Sequence, residues 1–216
     1  MAKIPSTVVW PVVHAERRAL IADLERLTPA QWQTPSLCPS WDVHDVVAHL
    51  VDSAKTTGWG FIRRLVVARF DFDRDNASGI AREKAAHPRD TLGQLQAVCT
   101  YSCTPPAALA TRFVEAFVHG EDIRRPLGIH RDYPPAHVAQ ALGYQVKTGV
   151  SMGGGKERAA GMRLVATDTN FVHGEGPEVR GPAISLLLAV SGRPVDAAEF
   201  TGDGAAAFSA ALGQAA

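Results

Sequence analysis

Apolar residues recur at helical spacing through the first two thirds of this chain, and that periodicity restricts its fold more than any other feature. Val9, Val13, Leu20, Leu24 and Leu27 follow one another at intervals of 4, 7, 4 and 3, a seam that ends before Thr28-Pro29. Residues 28–40 hold three prolines and read as loop. Behind Ser40, a candidate cap, the pattern resumes with Val43, Val46, Val47, Leu50, Val51 and Ala54. Further helices are expected over 57–70, over 91–102 with Asp90 as cap, over 106–125 and over 134–150. Residues 71–89 are polar and read as a long connection with one helical turn. Four or five helices with short connections imply a mainly α fold, an antiparallel four-helix bundle.

After Val150 the texture changes. Ser151-Met-Gly-Gly-Gly155 reads as a flexible hinge, which places a bundle domain at residues 1–150 and a small α/β domain at 156–216. Within the latter, 162–167 has the alternation of a strand, 182–190 is helical, 198–201 is a second strand and 205–212 a helix. Neither Gly153-Gly-Gly155 nor Gly174-Glu-Gly176 has the spacing of a phosphate loop.

Composition excludes several function classes. The 22 basic and 22 acidic residues cancel and are interspersed, so no basic stripe marks a nucleic-acid partner. The longest apolar runs, such as Leu186 to Val190, fall well short of a membrane helix, and the N-terminus has no signal-peptide core. Three cysteines, an odd number, argue against a disulfide framework; Cys99 and Cys103 read as small buried apolar residues. A cytoplasmic protein, monomeric or homodimeric, is the expectation.

The chemistry lies in polar strips beside the apolar arcs. Glu115 and His119 stand four residues apart, so both side chains can turn toward one ion. They share a strip with Arg112 and Asp122, while His49 shares one with Asp42, Asp45 and Ser53. If the two strips face each other, His49, Glu115 and His119 form a metal triad inside the bundle. Three protein ligands leave a coordination position open, as in catalytic zinc sites.

The residues around these positions carry a resemblance. Trp32, Ser36, Pro39 and Trp41-Asp-Val-His-Asp-Val-Val-Ala-His-Leu50 resemble the N-terminal signature of the mycothiol-dependent maleylpyruvate isomerase family, within the DinB-like four-helix-bundle superfamily. Phe72-Asp-Arg-Asp-Asn76 is similar to the family's Asn-containing loop, and Glu115-Ala-Phe-Val-His-Gly-Glu-Asp122-Ile-Arg-Arg-Pro126 to its second metal-binding segment. Gly174-Glu-Gly-Pro-Glu-Val-Arg-Gly-Pro-Ala183 through Ser191-Gly-Arg193 resembles its C-terminal domain. The resemblance places the zinc triad on His49, Glu115 and His119. It implies a divalent metal, Zn²⁺ first, that holds mycothiol or a related low-molecular-weight thiol as thiolate for isomerisation of, or transfer to, a small electrophile. Arg193 takes the position that would receive a substrate carboxylate, with Arg180 as its alternative. Asp45, placed with Arg193 among the catalytic candidates, and Asp122 are the carboxylates available to orient the histidines. A hydrolase activating water on the same metal and a non-catalytic binding module are the two other readings.

Overall fold

The computed structural model describes residues 4–213. The chain divides into two compact units, Met1–Arg112 with His119–His130, and Phe113–Val118 with Arg131–Ala216.

The first unit holds α1 (Ser6–Leu24), α2 (Val43–Lys55), α3 (Gly58–Val67), α4 (Phe72–Glu83), α5 (Pro88–Ala97) and both ends of α6 (Ala110–Arg124). Its core is the expected seam: Leu20, Ile21 and Leu24 from α1 meet Val43, Val46, Val47, Leu50 and Val51 from α2, Leu92 and Leu95 from α5, and Ile123 from α6. Each such side chain taken fully out of water contributes about 1.5–3 kcal/mol. Four helices thus close around one apolar cluster, the bundle that the periodicity implied.

Helix α2 starts two residues later than Ser40. Ser40 takes a left-handed conformation, φ 65°, in the turn that precedes the helix, and leaves Asp42 extended at φ −87°, ψ 176°. From there the Asp42 carboxylate accepts the Asp45 N–H at 2.7 Å, and the Asp45 carboxylate accepts the Asp42 N–H at 3.1 Å. This reciprocal capping box satisfies two of the four N–H groups that a helix start leaves without partners. At α5 likewise the cap is His87 followed by Pro88, not Asp90.

The connection expected over 71–89 is in large part a helix, α4. Asp71 caps it by accepting the Arg74 N–H at 3.0 Å. Hydrophobic periodicity misses this helix because ions hold it. Its buried residues are Asp75, Gly79, Ile80 and Glu83, of which only Ile80 is a large apolar residue. Arg64 of α3 donates to Asp52 of α2 and to Asp75 of α4, each at 2.8 Å, Arg82 donates to Asp52, and Lys55 pairs with Glu83 at 2.7 Å.

The second unit is built on a three-stranded sheet in the order β2–β1–β3, comprising β1 (Arg163–Ala166), β2 (Val172–His173) and β3 (Glu178–Gly181). β1 runs antiparallel to β2 and parallel to β3, with Leu164 opposite His173 and Val179. Helix α8 (Ala183–Val190), buried at every position but Ile184, packs against α7 (Pro135–Gln145), and α9 (Ala205–Gly213) against β3. The strand expected at 198–201 is a single 3₁₀ turn, Ala197–Glu199, with one bridge from Thr201 to Arg180. Backbone pairing passes to 178–181 instead. The glycine run is packed rather than hinge-like: a Cβ on Gly155 would meet the Val190 carbonyl oxygen at 2.2 Å, and the Gly155 N–H donates to Gln145 at 2.9 Å. The second compact unit takes in α7 and a stretch of α6 together with the residues beyond 150. Among the described residues no helix is long and apolar enough to cross a membrane.

Candidate functional site

Two contacts bring the polar strips of α2 and α6 face to face. The imidazoles of His49 and His119 stand edge to face, with ring centroids 4.8 Å apart and planes at 71°. One turn onward along α2, Ser53 Oγ accepts a hydrogen bond from Arg112 Nη1 at 3.0 Å. The numbers rise along α2, from 49 to 53, as they fall along α6, from 119 to 112. The two helices are therefore antiparallel where they meet. Ser53 and Arg112 are both buried, so this polar contact lies in the interior of the bundle.

His119 is oriented by its own helix. Its Nδ1 lies 2.8 Å from Asp122 Oδ2, three residues on, and Asp122 is wholly buried. The Asp122 carbonyl accepts the Leu37 N–H at 3.1 Å, which ties the loop between α1 and α2 to this turn of α6. A carboxylate on Nδ1 fixes the ring so that Nε2 carries the free electron pair, the arrangement common among metal-binding histidines. The same loop supplies Trp41, whose ring centroid is 5.1 Å from that of His49 and 6.4 Å from that of His119. Its position is set by backbone hydrogen bonds from Ser36 N–H to the Trp41 carbonyl at 2.9 Å and from Trp41 N–H to the Cys38 carbonyl at 3.2 Å. Spacing alone gives no sign that this indole touches both imidazoles.

The remaining candidates are distributed as follows. Glu115 lies one turn before His119 on the same strip of α6, is buried, and belongs to the stretch Phe113–Val118 that clusters with the second unit. Among the described residues no three His, Cys, Asp or Glu side chains are gathered closely enough to hold a metal ion. The structure brings His49 and His119 together. Asp45, one turn before His49, caps α2 and pairs with Lys84 Nζ at 2.7 Å. Burial pushes its carboxyl up, but the hydrogen bonds from Lys84 and from Asp42 outweigh that and hold it below the usual carboxylate range. Its oxygens thus serve a cap and an ion pair, and the carboxylate on a site histidine is that of Asp122. Arg193, in the second unit, follows Gly192 at the end of α8, where Gly192 at φ 77° and the Arg193 N–H, donating to Leu188 at 2.9 Å, close the helix in a Schellman turn. Its Nη1 donates to the Ser191 carbonyl at 3.2 Å.

The side chains gathered here are of types that can ligate a divalent metal. Two imidazoles converge, one is backed by a buried carboxylate, and an acidic residue lies on the same strip one turn away.

Residues 13–100 match the family described as the mycothiol maleylpyruvate isomerase N-terminal domain. Among solved structures, the fold matches the crystal structure of the mycothiol-dependent maleylpyruvate isomerase with a TM-score of 0.64 at 15% identity, over 95% of this chain and 97% of that one. A histidine-to-alanine mutant of that isomerase matches with the same TM-score at 14% identity and the same coverage. No curated protein sequence matches this chain significantly.

Proposed function

We infer that this chain, a member of the mycothiol maleylpyruvate isomerase family through its residues 13–100, is a metal-dependent enzyme that uses mycothiol or a related thiol to isomerise, or to transfer sulfur to, a small electrophile. The observation that carries the reading is the His49–His119 pair, 4.8 Å apart on antiparallel helices, with His119 held by Asp122. His49 and His119 would hold the metal, with Glu115 as the third ligand drawn in from the same strip of α6. A bound Zn²⁺ would supply the Lewis acidity that keeps a thiol deprotonated at neutral pH without a protein base.

The chain's own residues account for the rest. Asp122 keeps the proton of His119 on Nδ1 and so keeps Nε2 available. The Trp41 ring stands beside the imidazoles, 5.1 Å from His49 and 6.4 Å from His119 between centroids. Arg112 donates to Ser53 Oγ two turns from His119 along the strip and ties α6 to α2 beside the histidines. Arg193 remains our candidate for a substrate carboxylate.

The test is metal content followed by spectroscopy. Wild-type protein should bind one divalent metal per chain, and His49→Ala should lose it while retaining its helical circular dichroism. Co²⁺-loaded protein should develop a sulfur-to-metal charge-transfer band on addition of mycothiol. Full metal retention in His49→Ala would remove the site. A Co²⁺ spectrum indifferent to thiols, together with hydrolysis of an ester or amide, would replace the thiol reading with metal-activated water.

A further inference from the structure

Helix α3 is inside out. Its cation Arg64 turns inward, to Asp52 and Asp75, both buried. No residue of α3 is itself buried. On the outer side Trp59, Ile62, Val66 and Val67 are exposed, at intervals of 3, 4 and 1, and Phe70 is exposed just beyond the helix end. Trp59 is 84% exposed, Val67 74% and Phe70 71%. The ion pairs to Asp52 and Asp75 fix the roll of the helix, so this stripe cannot turn inward without breaking buried charge contacts. Beyond α3, Arg69 and Phe70 both take left-handed backbone angles, φ 59° and 64°, a conformation that non-glycine residues hold only when the surroundings impose it.

We propose that the α3 stripe is the interface through which two copies of this chain associate about a two-fold axis. Area supports it: the five side chains expose roughly 600 Å², at the top of the range found on monomers. Two such faces together would remove about 1,200 Å² from water, the lower bound of a specific interface. Charge supports it as well. The exposed ions of this stretch are Arg63, Arg69 and Arg74 against Asp71 and Asp73, a near balance unlike the basic face that anionic lipid surfaces select. A near-neutral patch can face a second copy of itself without like-charge repulsion, as a two-fold interface requires.

Light scattering on the full chain at tens of micromolar should give a mass of about 46 kDa, twice the 23.0-kDa chain. The triple variant Trp59→Gln/Val67→Gln/Phe70→Gln should give the single-chain mass with unchanged circular dichroism. Should that variant fail to fold, Val67→Glu alone should shift the equilibrium toward monomer at least tenfold. A single-chain mass for the wild type, or a dimer that survives the substitutions, overturns the proposal. So does a monomer that co-floats with phosphatidylserine vesicles and stops doing so in the variant, since the stripe would then face lipid.

Discussion

Asp122 Oδ2 sits 2.8 Å from His119 Nδ1, and that carboxylate is entirely buried beneath the imidazole it orients. Burying a carboxylate is costly unless it is hydrogen-bonded, so the pair is held together by the desolvation that separation would leave uncompensated. Its consequence is directional: with the proton kept on Nδ1, Nε2 is the acceptor. Asp122→Asn keeps the shape and a hydrogen bond but removes the charge that makes the imidazole a better donor. Zinc affinity, measured by competition with a chromogenic chelator, should fall about 10- to 100-fold while thermal stability changes little. Unchanged affinity would mean that Asp122 only anchors the loop through Leu37.

Gly79 rests directly on the ion cluster that binds α4 to α2. A Cβ at this position would come within 2.6 Å of Asp52 Oδ2 and 2.8 Å of its Cγ. Two effects oppose each other in Gly79→Ala: helix propensity gains about 1 kcal/mol, and overpacking costs roughly 1–3 kcal/mol. The Asp52 carboxylate is held by both Arg64 and Arg82, so it has little room to yield and the clash should win. A net loss of up to about 2 kcal/mol in urea unfolding is expected; a raised midpoint would show that Asp52 gives way easily.

These two sites differ in how far the sequence could reveal them. The seam of α1 and α2 was readable because burial follows a 3.6-residue period, and the polar strips carrying His49 and His119 were readable by the same arithmetic. Helix α4 was not, since its inward residues are Asp75 and Glu83, and no periodicity of apolar residues records an ion pair with α2 or α3. The sequence does not separate Ser40 from Asp42 as the α2 cap because both residue types cap well; the left-handed angle at Ser40 decides for Asp42. Asp45 and Asp122 both flank a site histidine in sequence. Only the fold tells them apart, giving Lys84 to one and His119 to the other.

Acid should weaken the fold through His44. Burial, with Lys84 adding to it, pushes this imidazole below its ordinary value of 6.5. Its Nε2 lies 2.7 Å from Thr91 Oγ1, which also accepts the Ala85 N–H at 3.0 Å. A neutral ring accepting the Thr91 hydroxyl proton satisfies both groups. Because the folded value is depressed, the unfolded chain takes up the proton first as pH falls. The contribution is complete above the unfolded value of 6.5 and is lost as pH drops through the folded one. Urea midpoints should therefore fall between about pH 7.5 and about pH 5, and by less in His44→Gln. An equal fall in both proteins would transfer the effect to other groups.

Arg193 offers a separation of structure from chemistry. The Schellman turn at the end of α8 uses the Arg193 backbone N–H, and Gly192 supplies the positive φ, so the turn does not depend on the guanidinium. The side chain is half-buried and donates to the Ser191 carbonyl at 3.2 Å. Because the turn is made by the backbone, Arg193→Ala should keep it. If the guanidinium receives a substrate carboxylate, kcat/KM for a carboxylated electrophile should drop at least tenfold, equivalent to about 1.4 kcal/mol of transition-state binding. The same variant should leave kcat/KM for an uncharged electrophile unchanged, which a general loss of active-site order would not do. Equal losses on both substrates would assign Arg193 to the architecture of the second unit, and no loss on either would return the carboxylate to Arg180 or Arg112.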